Sequence, residues 1–315
     1  MIQPYTHESR GFTLIELSIV LVIIGLIAGG VLVGRDLIRT AEVRATISQI
    51  EKYQTAVHTF QTKYNGLPGD LPDPVASQYG FIPRGNVPGQ GDGNGVIEGN
   101  PFDEPGYTIG LEPDTGEEGT FWIDLSRANL IDGNFNGLAS EDAIPGVVSA
   151  GGIANYLPPG KLGGNNYIYV WSGGWSTFGY PIWGIQQIGD RLNYFGIASV
   201  SYFLGGELDD LPGLTVGDAY YIDNKIDDGL PQSGKVLALY TFTTIKWPIW
   251  AIGGGAGQSG AATPIINGVG NAPTTVITPW DPSNCYDNNG VAGVQQYSTY
   301  KNSAQVNCAL SFQFQ

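Results

Sequence analysis

Histidine is almost missing from this chain: only His7 and His58 occur in 315 residues. That excludes most Ser-His-Asp triads and histidine-rich metal centres, because both need imidazoles at fixed places in the fold. Basic residues are also scarce, 14 Lys and Arg against 29 Asp and Glu, for a net charge of −15. Without clustered cations there is no phosphate-binding footprint, so nucleic acid is not a partner suggested by charge. The glycine run Gly253-Gly254-Gly255-Ala256-Gly257 lacks the Lys-Ser/Thr ending of a P-loop. Gln258-Ser259-Gly260 lacks the second glycine and the histidine partner of a nucleophile elbow. These absences together argue against an enzyme.

What remains is a glycine-rich, moderately apolar chain, with 47 Gly and 42% hydrophobic residues. That is enough apolar side chain for a core, so disorder throughout is excluded. Charge is unevenly placed. Residues 1–63 carry six basic and five acidic groups, whereas residues 64–315 carry eight basic and 24 acidic groups. A body this acidic suits water and is repelled by an anionic lipid surface.

One long apolar run stands out. Leu17 to Gly34 has no charge, and adding Phe12–Ile15 gives 23 residues interrupted only by Glu16. About 20 such residues span a bilayer core as a helix. Arg10 before it and Arg35 and Arg39 after it leave the orientation open on charge alone. Beyond Arg35, Val43, Ile47, Ile50, Tyr53, Val57, Phe60 and Tyr64 recur at helical spacing. No proline falls between Gly11 and Tyr64, and Gly66 and Pro68 supply the stop. The pattern predicts one helix from about Phe12 to Tyr64, apolar all round in its first half and amphipathic in its second.

Three readings fit this N-terminus: a plain membrane anchor, a signal peptide cut after Gly30, or a processed helix that stays attached. The first two leave Glu16 without a purpose, although a carboxylate at membrane depth costs about 2.5–3.5 kcal/mol. Gly11-Phe12-Thr13-Leu14-Ile15-Glu16-Leu17 resembles the cleavage and methylation signature of type IV prepilins and type II secretion pseudopilins. The resemblance implies a peptidase cut after Gly11, methylation of Phe12, and retention of the helix. It implies an α+β pilin-like fold, with the amphipathic half of the helix packed on an antiparallel sheet. The divisions expected are a leader over 1–11, a transmembrane and filament-core half over 12–34, an amphipathic half over 35–64 and a head over 65–315. Expected partners are other pilin-like subunits, a prepilin peptidase and an inner-membrane assembly platform. The chain would sit in the inner membrane with its head outside the cytoplasm, then enter an extracellular filament. Alternatives are a pseudopilin of a secretion system exporting folded proteins and an anchored adhesin that never polymerises. In assembly, the Glu16 carboxylate of one subunit would neutralise the Phe12 amine of the next.

The head reads as short elements between turns. A helix is expected from Glu118 to about Ile131, and another from Thr215, where Thr215 and Asp218 form a capping box, to Gly229 and Pro231. Tyr167–Trp171, Tyr194–Phe203, Val236–Ile245 and Val306–Phe314 read as strands of an antiparallel sheet. The family resemblance implies a disulfide between Cys285 and Cys308, bounding a C-terminal loop over 285–308. No cofactor is required. Calcium is the one cation suggested, by oxygen donors at Asp92, Asn94, the Val96 carbonyl and Glu98 between glycines. Trp171, Trp175, Trp183, Trp247 and Trp250 could form an aromatic binding platform, or simply pack loops on the core.

Overall fold

The computed structural model describes residues 12–85, 87–99, 116–137, 148–149, 151–173, 191–204, 207–242, 247–251, 253–254, 284–287 and 296–315. Its helices are α1 (Leu14–Tyr64), α2 (Val75–Gln78), α3 (Gly116–Arg127), α4 (Val216–Ile226) and α5 (Thr299–Asn302). Its strands are β1 (Val148–Ser149), β2 (Asn166–Ser172), β3 (Asn193–Leu204), β4 (Glu207–Leu211), β5 (Leu214–Thr215), β6 (Val236–Leu237) and β7 (Leu239–Phe242). They continue with β8 (Trp247–Trp250), β9 (Gly253–Gly254), β10 (Tyr286–Asp287), β11 (Gln296–Tyr297), β12 (Val306–Cys308) and β13 (Leu310–Gln313). The layout is α+β and pilin-like, a long N-terminal apolar helix followed by antiparallel sheets. The chain divides into two units, Met1–Glu42 and Val43–Gln315.

In the first unit α1 exposes every side chain from Phe12 to Val33. The unbroken helix reflects the missing proline, and α1 is long and apolar enough to cross a membrane.

The second unit is organised around β3. Its first half lies between β2 and β13, so that Ile197 faces Ile168 on one side and Leu310 on the other. Its second half lies between β1 and β4, with Phe203 opposite Val148 and Leu208. The later part of α1 covers this sheet with the expected stripe. Val43, Ile50, Tyr53, Val57, Phe60 and Tyr64 are buried, and Ile47 partly so. Tyr53 meets Trp122 of α3 edge-on at 5.0 Å, Trp122 stacks on Phe195 of β3 at 5.8 Å, and Phe195 stacks on Phe314 at 4.3 Å. This buried aromatic column clamps α1 and α3 to the sheet.

Three expected elements differ in extent. Helix α3 ends at Arg127 because Asn129 adopts a left-handed conformation (φ 56°) and Leu130 N–H closes back on Leu125 O at 3.0 Å. The strand expected over 236–245, of which 243–245 lie outside the described residues, divides at Ala238, whose N–H goes to Pro231 O and whose carbonyl takes the Ala251 N–H. The strand expected over 306–314 divides at Ala309. There β12 pairs with β5, while β13 joins β3 and β6 in the main sheet. Trp171 and Trp250 lie in the core, Trp171 stacked on Tyr194 at 4.6 Å, so both pack the fold and form no surface platform. Trp175 and Trp183 lie outside the described residues.

Candidate functional site

The start of α1 is built by Thr13 and Glu16. Glu16 carboxylate accepts the Thr13 N–H at 2.8 Å and the Thr13 hydroxyl at 2.7 Å, and Thr13 Oγ1 in turn lies 3.3 Å from Glu16 N. Two helical N–H groups that would lack partners in the first turn are thereby satisfied, as in a capping box. Phe12 sits immediately before it, exposed, and Gly11 lies outside the described residues. The Thr-x-x-Glu spacing of Thr13 and Glu16 is the sequence signal for this cap.

In the second unit, the segment after α1 is fixed by a buried ion pair. Arg84 Nη2 bonds Asp124 of α3, with both side chains wholly buried, and Arg84 Nε donates to Leu71 O at 3.0 Å. Asp124 also accepts the Gly69 N–H at 2.8 Å. Gly69 has φ +85°, and a Cβ there would fall 2.2 Å from the Glu117 carbonyl, so only glycine lets the turn approach α3. Burial raises the Asp124 pKa, and the Arg84 guanidinium opposes that shift.

This turn carries Asp70 to the glycine-rich loop. Asp70 accepts the N–H groups of Gly93 and Asn94 at 2.7 and 3.1 Å and of Gly95 at 2.8 Å. Glu117, at the start of α3, accepts those of Gly91 and Glu98 at 2.9 and 3.0 Å. Carboxylate oxygens of Asp70, Asp92 and Glu117 lie within 4.8 Å of one another. Burial pushes the Asp70 pKa up to about 7, against the loop N–H groups that hold it down. Burial, then the charges of Asp70 and Asp92, raises Glu117 well above the usual carboxylate range. Of the donors expected for calcium, Asp92 faces this cluster. The Asn94 amide donates to Asp92 and Glu98 at 3.1 and 3.2 Å, while its oxygen takes the Val96 N–H at 2.7 Å. Asp70 and Glu117 were not expected, because they lie 22 and 25 residues from Asp92 in sequence. Three hard carboxylate donors suit calcium better than a softer transition metal.

Cys285 and Cys308 are disulfide-bonded and buried. The bridge ties the chain before β10 to β12, whose Cys308 carbonyl accepts the Gly213 N–H at 3.0 Å.

Residues 7–32 match the family described as the prokaryotic N-terminal methylation motif. The chain carries the prepilin-type signature. The match covers the apolar N-terminal segment, 26 of 315 residues, and marks a type IV pilin- or pseudopilin-like protein. That family is structural rather than catalytic, and its signature implies peptidase processing and subunit assembly in general terms. No curated protein and no solved structure matches the chain.

Proposed function

We propose that this prepilin-type chain is a structural subunit of a type IV pilus-like extracellular filament. The observation that carries this reading is the complete exposure of the apolar helix from Phe12 to Val33, with one carboxylate, Glu16, in its first turn. An apolar surface of that kind is stable only in lipid or against other apolar helices. A methylation signature on the same segment favours transfer from the first environment to the second. A prepilin peptidase cuts after Gly11, and the chain waits in the inner membrane with its head outside the cytoplasm. The assembly platform then delivers it to the filament. There the Phe12 amine of one subunit pairs with Glu16 of its neighbour. Because donor and acceptor surfaces differ, the contact is head-to-tail and yields an open helix of subunits. Calcium at Asp70, Asp92 and Glu117 belongs to the same proposal, as a local stabiliser of the head. Sheared surface fractions test the central claim. The native chain is recovered in filaments, whereas Glu16→Ala remains a processed membrane monomer. Normal filament yield from that variant overturns the pairing.

A further inference from the structure

Asp210 is the penultimate residue of β4, opposite Val200 of β3, and has no exposed surface. No well-formed hydrogen bond reaches either of its carboxylate oxygens, although the Tyr169 hydroxyl is close enough to act on them. The Thr241 hydroxyl on β7 is likewise buried without a well-formed hydrogen bond, and it acts on the Tyr169 hydroxyl. Between them is Tyr169 of β2, fully buried, whose hydroxyl oxygen accepts the Thr241 N–H at 3.0 Å. Tyr169 reaches this position because it faces Gly196 on β3, where a Cβ would fall 2.2 Å from the ring. Register and packing thus bring an acid and a phenol of the main sheet against β7 of the two-stranded sheet, which carries Thr241.

We propose that this cluster is a buried proton-binding site: Asp210 folds into the head as a neutral carboxylic acid, held beside the hydroxyls of Tyr169 and Thr241, and loses its proton only when the head opens. A bare carboxylate here is costly, since transfer of a charge from water is repaid only by a counter-charge or several donors. Neither is present among the described residues. The ion pairs found there join Arg39 to Glu42, Lys52 to Asp132 and Arg84 to Asp124. The groups next to Asp210 are Val200 opposite it on β3, Tyr169 from β2 and Tyr240 from β7, with Thr241 bonded to the Tyr169 hydroxyl, and none of them is cationic. Its neighbour Asp209 adds a charge of the same sign. Burial accordingly raises the Asp210 pKa well above the carboxylate range, the Asp209 charge adds to it, and the Tyr169 hydroxyl opposes the shift.

Below about pH 4 the acid is protonated in both folded and unfolded chains, and its full contribution to stability is present. Above that, the unfolded chain gives up the proton while the folded head keeps it. The folding equilibrium constant then falls about tenfold per pH unit for this one group, until the folded acid also ionises. Other raised carboxyls contribute slopes of their own, so the comparison with Asp210→Asn isolates this proton. Asn has the shape and charge of the neutral acid, and it cannot ionise.

The experiment uses the full chain in detergent micelles. Urea unfolding of native and Asp210→Asn proteins is followed from about pH 5 to about pH 8, across the range above the ordinary carboxylate pKa. The stability of the native chain relative to the variant is expected to fall about tenfold in equilibrium constant per pH unit. The carboxylic-acid C=O band at neutral pH, to which Glu117 and Asp70 also contribute, should be weaker in the variant by the intensity of one acid. Parallel pH profiles, or no difference in the C=O band, overturn the proposal. A variant that fails to fold overturns it too, because a neutral isostere should be tolerated where a neutral acid sits.

Discussion

Glu16 caps its own helix through Thr13, accepting two hydrogen bonds from that one residue at 2.8 and 2.7 Å. The same carboxylate is the proposed partner of a neighbour's Phe12 amine, so capping and pairing draw on one group. They separate by substitution. Glu16→Gln retains an oxygen that can accept from Thr13 and removes the charge. Thr13→Ala retains the charge and removes the hydroxyl of the cap. If the charge drives assembly, Glu16→Gln should cut filament yield nearly as far as Glu16→Ala. Thr13→Ala should act mildly, in line with a cap worth about 0.5–2 kcal/mol. Equal losses in Thr13→Ala and Glu16→Gln would assign the effect to the cap. Immunoblots of sheared and cellular fractions provide the measurement.

Processing is independent of assembly and is read on the purified protein. Mass spectrometry of the mature N-terminus should give a chain beginning at a methylated Phe12. A beginning at Val31 would identify a discarded signal peptide and remove the filament core with it.

The Arg84–Asp124 pair makes a different kind of prediction, about the head alone. Both side chains are fully buried, and they hold the Gly69–Leu71 turn on α3. Removing one partner leaves the other charge in the core, which costs about 3–5 kcal/mol. Arg84→Met should therefore destabilise strongly, and Asp124→Asn less if its amide still accepts from Gly69. The double variant Arg84→Met with Asp124→Leu should recover part of the loss, since two apolar groups of similar volume can replace a buried pair. Chemical unfolding of the four proteins decides it. A double variant less stable than Arg84→Met alone would show that the turn needs the ions themselves.

The parts of this fold that sequence made legible are those written in local periodicity. The α1 stripe from Val43 to Tyr64, the Thr215–Asp218 cap of α4 and the cores of β2 and β3 all depend on neighbours within a few residues. The cap is realised in the structure by Asp218 N–H donating to Thr215 Oγ1 at 3.1 Å. What stayed hidden depends on distant contacts. Strand β4, Glu-Leu-Asp-Asp-Leu, reads as a polar loop and becomes a strand only because β3 offers an edge. Asp70 and Glu117 look like ordinary surface acids until the Gly69 turn and the start of α3 bring them to Asp92. The Arg84–Asp124 pair spans 40 residues and has no motif at all.

The loop between Gly91 and Glu98 yields the last prediction. Asp70 and Glu117 are buried, and the hydrogen bonds reaching them come from backbone N–H groups of the loop. With Asp92 they gather three carboxylates within 4.8 Å, a repulsion that a divalent cation would relieve. Calcium is the cation of choice, because the donors are all oxygen and backbone carbonyls of a glycine-rich loop can complete its 6–8 ligands. Calcium binding only the folded head stabilises it by about 2.7 kcal/mol at one hundred times its dissociation constant. Thermal unfolding of the full chain in micelles should therefore shift upward with added calcium and return with a chelator. Magnesium, which demands smaller octahedral geometry, should do less. Asp92→Asn is the discriminating variant, since Asp92 is exposed and its loss should leave the apo fold intact. In that variant the calcium-dependent shift should shrink severalfold. An equal shift in native and Asp92→Asn proteins would place any calcium effect elsewhere. No shift in the native chain would leave the three acids as a purely structural knot, held by the loop N–H groups they accept.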